Sequence, residues 1–235
     1  MSASANISPP IAFEQLIAAQ DAVILALLAA IDEPVGGDGR HVLRVQHYSQ
    51  LLAEQLQSDG VFRDEIDATF LENLYRSSAL HDIGKIGVDH RILSKPGRLT
   101  DDEFEIIQTH VTIGANLLKR AVTLGGDSCF LSMAIDVALY HHEHFDGRGY
   151  RAGLKGSEIP LAARIVAVAD VYDAVTSQRV YKPASSSDSA RELIESEAGR
   201  HFDPAVVDAF RARSADFAAL VESRAPSAQE AVTRE

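Results

Sequence analysis

Between His141 and Arg151 the chain reads HHEHFDGRGYR, placing three of its nine histidines within four positions, directly before a glycine-containing loop. Imidazole and carboxylate recur at other positions that face inward on a helical period. His81 lies seven residues after Leu74 and is followed at once by Asp82; His41 lies four before Val45 and seven before Tyr48. His110 follows Ile107 by three and precedes Gly114 by four, His141 follows Val137 and Ala138, and Asp170 sits inside RIVAVADVYDAV. Such spacings share one face of a helix. A single inward histidine is ordinarily a hydrogen-bonded core residue. A carboxylate in an apolar face is harder to accommodate, because burying it unpaired is costly. Neutral imidazoles and carboxylates converging from several helices are what a divalent-metal site requires. Asp82 is placed to bridge two ions with its two oxygens while His81 ligates one of them. Nitrogen and oxygen donors without thiolate favour iron or manganese over a structural zinc.

These residues need a frame, and the apolar pattern predicts a helical one. No strand-like alternation of useful length occurs, whereas long segments repeat apolar residues at helical spacing. One helix is expected from about Ile11 to Ile31, apolar all round toward its end and therefore buried in the core or in a dimer. A second carries Val45, Tyr48, Leu51, Leu52 and Leu56. A third carries Ile66, Phe70, Leu74 and Ala79, with Gly84 as its terminator. GVDHRILSKPGRLT reads as a loop. Thr100 and Glu103 have capping-box spacing and open a helix with Phe104, Ile107, Val111, Gly114 and Leu118 on one face. Asp127 or Ser128 caps a helix running into His141 and His142. Pro160 opens LAARIVAVADVYDAVTS, Asp188 caps a helix ending near Gly199, and Asp203 with Pro204 starts a last one.

Composition bounds the function. The chain has 235 residues, 46% of them hydrophobic and 24% charged, which is globular composition. A net charge of −12 repels DNA, RNA and anionic membrane surfaces. The single cysteine, Cys129, excludes an internal disulfide and reads as a small buried apolar residue. No basic cluster opens the chain, and the most apolar run, AVILALLAAI, is well short of the roughly 20 residues that span a bilayer. A cytoplasmic location without membrane insertion is expected.

HDIGK at His81 to Lys85, a lone histidine upstream, the HH pair and a late aspartate resemble the HD superfamily of metal-dependent phosphohydrolases. Longer strings narrow the match: LHDIGKIGVDHRILSKPGRLT, THVTIGANLL, HHEHFDGRGY, GSEIPLAARIVAVADVYDAVTSQRVYK and GRHFDPAVVDAF resemble the HD-GYP domain, which is linked to hydrolysis of cyclic di-GMP. The match runs from His41 to Phe210. It implies an all-α, multi-helix HD-type bundle with a metal site in its interior. It also implies metal ligands at His41, His81, Asp82, His110, His141, His142 and Asp170. Lys85, Arg179 and Lys182 would contact phosphate, Asp82 and Lys85 would take part in catalysis, and Tyr150 would lie beside the substrate. On this reading residues 1–35 form an N-terminal helix that either dimerises or joins the core, 36–221 form the phosphohydrolase domain, and 222–235 are a polar, disordered tail.

Two positions depart from the family pattern. Arg151 stands where the name-giving tripeptide ends in proline, so a looser and more cationic loop is expected. Gly37 occupies the place of a glutamate that some members use for a third metal, which leaves two. Two divalent ions against Asp82 and Asp170 leave a local charge of about +2, enough to attract a phosphodiester into an acidic chain. The resemblance implies a metal-dependent phosphodiesterase that opens cyclic di-GMP to linear pGpG or carries it on to GMP. It also implies docking of diguanylate cyclase (GGDEF) proteins through the loop at 144–156. Two rivals stand beside it. A phosphohydrolase of another nucleotide would keep the ligands but leave DGRGY and SQRVYK unexplained. A catalytically silent module binding a cyclic dinucleotide or a protein has no need of an intact ligand set.

Overall fold

The computed structural model describes residues 13–32, 40–126, 128–150, 152–177 and 184–222. Among these residues the regular structure is helical, with one isolated bridge between Ala198 and Phe202. The helices are α1 (Phe13–Asp32), α2 (His41–Ser58), α3 (Ala68–Ser78), α4 (His90–Leu93), α5 (Asp101–Gln108), α6 (His110–Gly125), α7 (Cys129–Tyr140), α8 (Leu161–Thr176), α9 (Ser187–Ser196), α10 (Pro204–Ala212) and α11 (Ser214–Glu222). Short 3-10 turns occur at Ile83–Gly87 and Gly156–Glu158.

Local chemistry sets many of the boundaries. The Thr100 hydroxyl accepts from the Glu103 amide while the Glu103 carboxylate accepts from the Thr100 amide, the reciprocal pair that opens α5. Ser128 caps α7, Asp67 caps α3, and Asp203 caps α10 ahead of Pro204.

Helix α8 is the axis. It is apolar nearly all round because α2, α7, α9 and α10 surround it, and Ile165, Val166, Val168 and Ala169 are fully buried. At one end Tyr48, Tyr172, Phe210 and Phe217 interlock, with the Tyr48 and Phe217 rings stacked at 4.4 Å. A second apolar cluster joins Leu28 of α1 to Val42, Ala79, Leu80, Leu118, Ala134 and Ala138. Helix α1 thus packs one face against the domain through Leu28, and Asp21 pairs with Arg76 at 2.9 Å. Its other face leaves Val23 and Leu27 exposed.

Several expectations are corrected. Gly84 does not terminate the third helix, which ends at Ser78; it lies inside the following 3-10 turn. The helix expected from Thr100 onward breaks at Thr109 into α5 and α6, so Phe104 is exposed instead of buried. The break follows from Thr109, whose hydroxyl bonds the Ile106 carbonyl and competes with the helix ladder. A one-turn helix, α4, interrupts the expected loop after Gly87, capped by Asp89. Ser186, not Asp188, caps α9, and the last helix is two, α10 and α11. Cys129 is exposed at the start of α7, not buried. No helix among the described residues is long and apolar enough to cross a membrane.

Candidate metal centre

The histidines and aspartates predicted from sequence meet at one place, and most of them sit at helix ends. His41 opens α2, His110 opens α6, His141 is the C-cap of α7 with His142 directly after it, and His81 and Asp82 lie in the turn between α3 and the 3-10 segment. Only Asp170 lies in mid-helix, on α8. The imidazoles turn back onto main-chain carbonyls of the preceding turn, each of which has a second lone pair to offer: His81 Nδ1 pairs with the Ser78 carbonyl at 2.8 Å, His110 Nδ1 with Ile107 at 2.7 Å, and His141 Nδ1 with Val137 at 2.9 Å. Each bond places the ring proton on Nδ1 and turns the Nε2 lone pair to the interior, the orientation a metal ligand needs.

Asp82 divides these lone pairs into two groups. Its Oδ2 lies 3.3 Å from His81 Nε2, while its Oδ1 lies 3.3 Å from His110 Nε2 and 3.9 Å from His141 Nε2. His41 Nε2 completes the first group, 3.3 Å from His81 Nε2 and 3.6 Å from Asp170 Oδ1. Asp170 Oδ1 is also 3.8 Å from His81 Nε2, so this carboxylate is not the isolated buried charge its apolar helix suggested. His142 completes the second group, in which one donor atom from each of Asp82, His110, His141 and His142 lies within 4.8 Å of the others. His41, His81 and Asp82 satisfy the same criterion on the first side.

Burial and charge fit divalent ions. Asp82 Oδ1, His110 Nε2 and His141 Nε2 are buried with no hydrogen-bond partner among the described residues, although they converge on one space. Orphaned lone pairs at this density are costly unless a cation accepts them. Burial holds the pKa of His110 below its ordinary value; burial and then the charge of His81 push His141 down to about 3. His142 is held well below the usual range by burial and by His141. These three rings are therefore neutral and free to ligate. Burial would raise the Asp82 pKa, but Lys85 and His81 outweigh it and keep the carboxylate ionised. At His81 burial is outweighed by Asp82 and Asp170, which push its pKa up to about 9, so without a metal the two carboxylates gather a proton there.

The predicted substrate residues divide by position. Lys85 Nζ forms an ion pair with Asp82 Oδ2. Tyr150 stacks on His142 with ring centroids 4.4 Å apart and meets the partly exposed Phe104 edge-on at 5.9 Å. Burial, then Asp82 and Asp170, push the Tyr150 pKa up to about 12, so its hydroxyl remains a proton donor. The loop bearing it turns back sharply: a Cβ on Gly149 would lie 2.2 Å from the His144 nitrogen. The Glu143 carboxylate ties the far side by accepting from the Ala152 amide at 3.0 Å. Arg179, Lys182, Arg151 and Gly37 lie outside the described residues.

Sequence reasoning missed Asp173 and Arg44. Asp173 Oδ2 pairs with His41 Nδ1 at 2.7 Å, and Arg44 donates to both oxygens of Asp173, from Nε at 2.6 Å and Nη2 at 2.9 Å. The signal was present but weak: Asp173 follows Asp170 by three and Arg44 follows His41 by three, each one turn away.

Residues 43–206 match the family model described as HD domain. A cyclic di-GMP phosphodiesterase of Vibrio cholerae is 45% identical over 86% of this chain and 41% of its own length. A probable cyclic di-GMP phosphodiesterase of the same organism is 42% identical over 84% of this chain and 45% of its own. Among solved structures, a cyclic GMP-AMP-specific phosphodiesterase of V. cholerae superposes with a TM-score of 0.60 at 21% identity, over 89% of this chain and 54% of that one. The chain therefore belongs to the HD domain family, and within it to the HD-GYP group whose motifs it carries. It spans less than half the length of the two curated relatives.

Proposed function

We propose that this chain is a metal-dependent phosphodiesterase that opens cyclic di-GMP to linear pGpG. The observation that carries the reading is the divided Asp82 carboxylate, with one oxygen toward His81 and the other toward His110 and His141. His41, His81, Asp82 and Asp170 would hold one ion; Asp82, His110, His141 and His142 would hold the other. The donor set of imidazole and carboxylate without thiolate supports iron or manganese. Two ions, when bound, supply Lewis acidity for activating water and neutralising charge at phosphorus.

The chain's own groups do the rest. The Lys85 ammonium, held beside Asp82, is positioned to take up charge developing on the phosphodiester oxygens. Tyr150, protonated and fixed against His142, donates a hydrogen bond to the substrate at the mouth of the site. Arg179 and Lys182 add positive charge by the family pattern. The substrate assignment is supported by the two cyclic di-GMP relatives at 45% and 42% identity. Release of linear pGpG from cyclic di-GMP by purified protein with iron or manganese, read by chromatography, tests it. If neither metal supports product formation, the proposal fails; exclusive turnover of cyclic GMP-AMP would move the chain to the substrate named for its structural neighbour.

Two associations belong to the same proposal. The exposed Val23 and Leu27 of α1 provide an apolar strip for a homodimer. The loop at 144–156 would dock diguanylate cyclase proteins in the cytoplasm.

A further inference from the structure

The two halves of the centre are not equally supported. His81, His110 and His141 each direct Nδ1 to a neutral main-chain carbonyl, whereas His41 directs it to the carboxylate of Asp173. A ligating imidazole gains positive charge on its far nitrogen, and a hydrogen bond from there to an anion is roughly twice as strong as one to a neutral acceptor. Asp173 is also held in place. Arg44 clamps both its oxygens, and the Ser177 hydroxyl donates to Oδ2 at 3.2 Å. The two-toothed clamp fixes the plane of the carboxylate and offsets the cost of burying its charge. With its side chain only 1% exposed, Asp173 cannot reach a substrate. Whatever it contributes passes through His41.

Resting on the two-ion reading above, we propose that Asp173 is a positioning residue that makes the His41 half of the centre the tighter ion site, filled before the half built from His110, His141 and His142. Arg44 holds Asp173 to that task.

Titration of the metal-free chain with manganese, followed by electron paramagnetic resonance and calorimetry, tests this. The wild-type chain should bind two ions in two steps, with His41→Ala removing the tighter step and His142→Ala the weaker. Asp173→Asn, nearly the same shape, should weaken the tighter step by about 10- to 100-fold, the usual effect of removing such a support, and leave the weaker step in place. In a His41→Ala background the same substitution should change nothing further, because its partner is gone. Should Asp173→Asn not fold, Arg44→Lys carries the test by loosening the clamp while keeping the charge pair, and it too should weaken the tighter step alone. Loss from both steps equally, loss from neither, or further loss in the His41→Ala background would overturn the inference. A wild-type chain that binds only one ion overturns the two-ion reading and this inference with it.

Discussion

Gly84 passes so close beneath His110 that a Cβ on Gly84 would stand 1.9 Å from the His110 carbonyl oxygen and 2.5 Å from the Gly114 nitrogen. No side chain could move aside to admit it, because both neighbours are backbone. The contact sets the spacing between the 3-10 turn after Asp82 and the first turn of α6, and so the spacing of Asp82 from His110. Gly84→Ala should therefore lower stability by about 1–3 kcal/mol, the range for overpacking, and should also weaken ion binding. Gly87→Ala is the control: its Cβ meets the flexible Ile113 side chain at 2.8 Å, so the effect should be smaller. Denaturant midpoints and bound metal by elemental analysis check both.

Asp82→Ala should abolish hydrolysis and empty both halves of the centre, because each oxygen of this carboxylate faces a different group of imidazoles. His142→Ala should empty one half only. Full metal occupancy in Asp82→Ala, measured by elemental analysis, would contradict the bridging assignment.

Lys85→Ala should retain metal and lose roughly 10²- to 10³-fold in kcat, the scale for removing one charge-stabilising donor. Steady-state kinetics on the metal-loaded variant decide it, and unchanged turnover would leave Lys85 as a structural partner of Asp82 alone.

Tyr150 offers a ring to His142 and a hydroxyl to the substrate, and the two can be separated. Tyr150→Phe keeps the ring and should reduce kcat/KM only about 3- to 10-fold, as expected for one neutral hydrogen bond of about 1 kcal/mol. Tyr150→Ala should also lower metal occupancy, since the stack that steadies His142 at 4.4 Å is lost. Kinetics and metal content measured together distinguish these effects.

Acidification should loosen the loop that carries Tyr150. The His201 carbonyl accepts from the Phe145 amide at 3.0 Å, and its ring stacks on His144 at 3.9 Å. Burial, then His144, push the His201 pKa from 6.5 down to about 4. The folded chain thus favours the neutral ring. This contribution is fully present above pH 6.5 and is lost as the pH falls toward about 4. Protection factors for hydrogen exchange at Phe145 and Asp146, which divide out the intrinsic slowing of exchange in acid, should fall between about pH 6.5 and about pH 4 in the wild type, and less so in His201→Gln. An equal fall in the two would remove His201 from the account.

The sequence by itself determined what depends on near neighbours. The Thr100–Glu103 box and the Asp203–Pro204 start act within one helical turn, so their residue types were sufficient to place those helix starts. Residue types narrowed the cap of α7 to Asp127 or Ser128, of which the structure uses Ser128. Seven residues able to hold metal were legible because imidazole and carboxylate stand out on apolar faces and because their order resembles a known family. Tertiary packing decided the rest. Which Asp82 oxygen serves which histidines depends on how α6 and α7 meet the turn after α3. That Gly84 is a point of close approach and not a helix stop depends on α6 lying above it. The pairing of His41 with Asp173 joins residues 132 positions apart. Helical period and capping reach three or four residues along the chain, and no local rule carries a side chain across that distance.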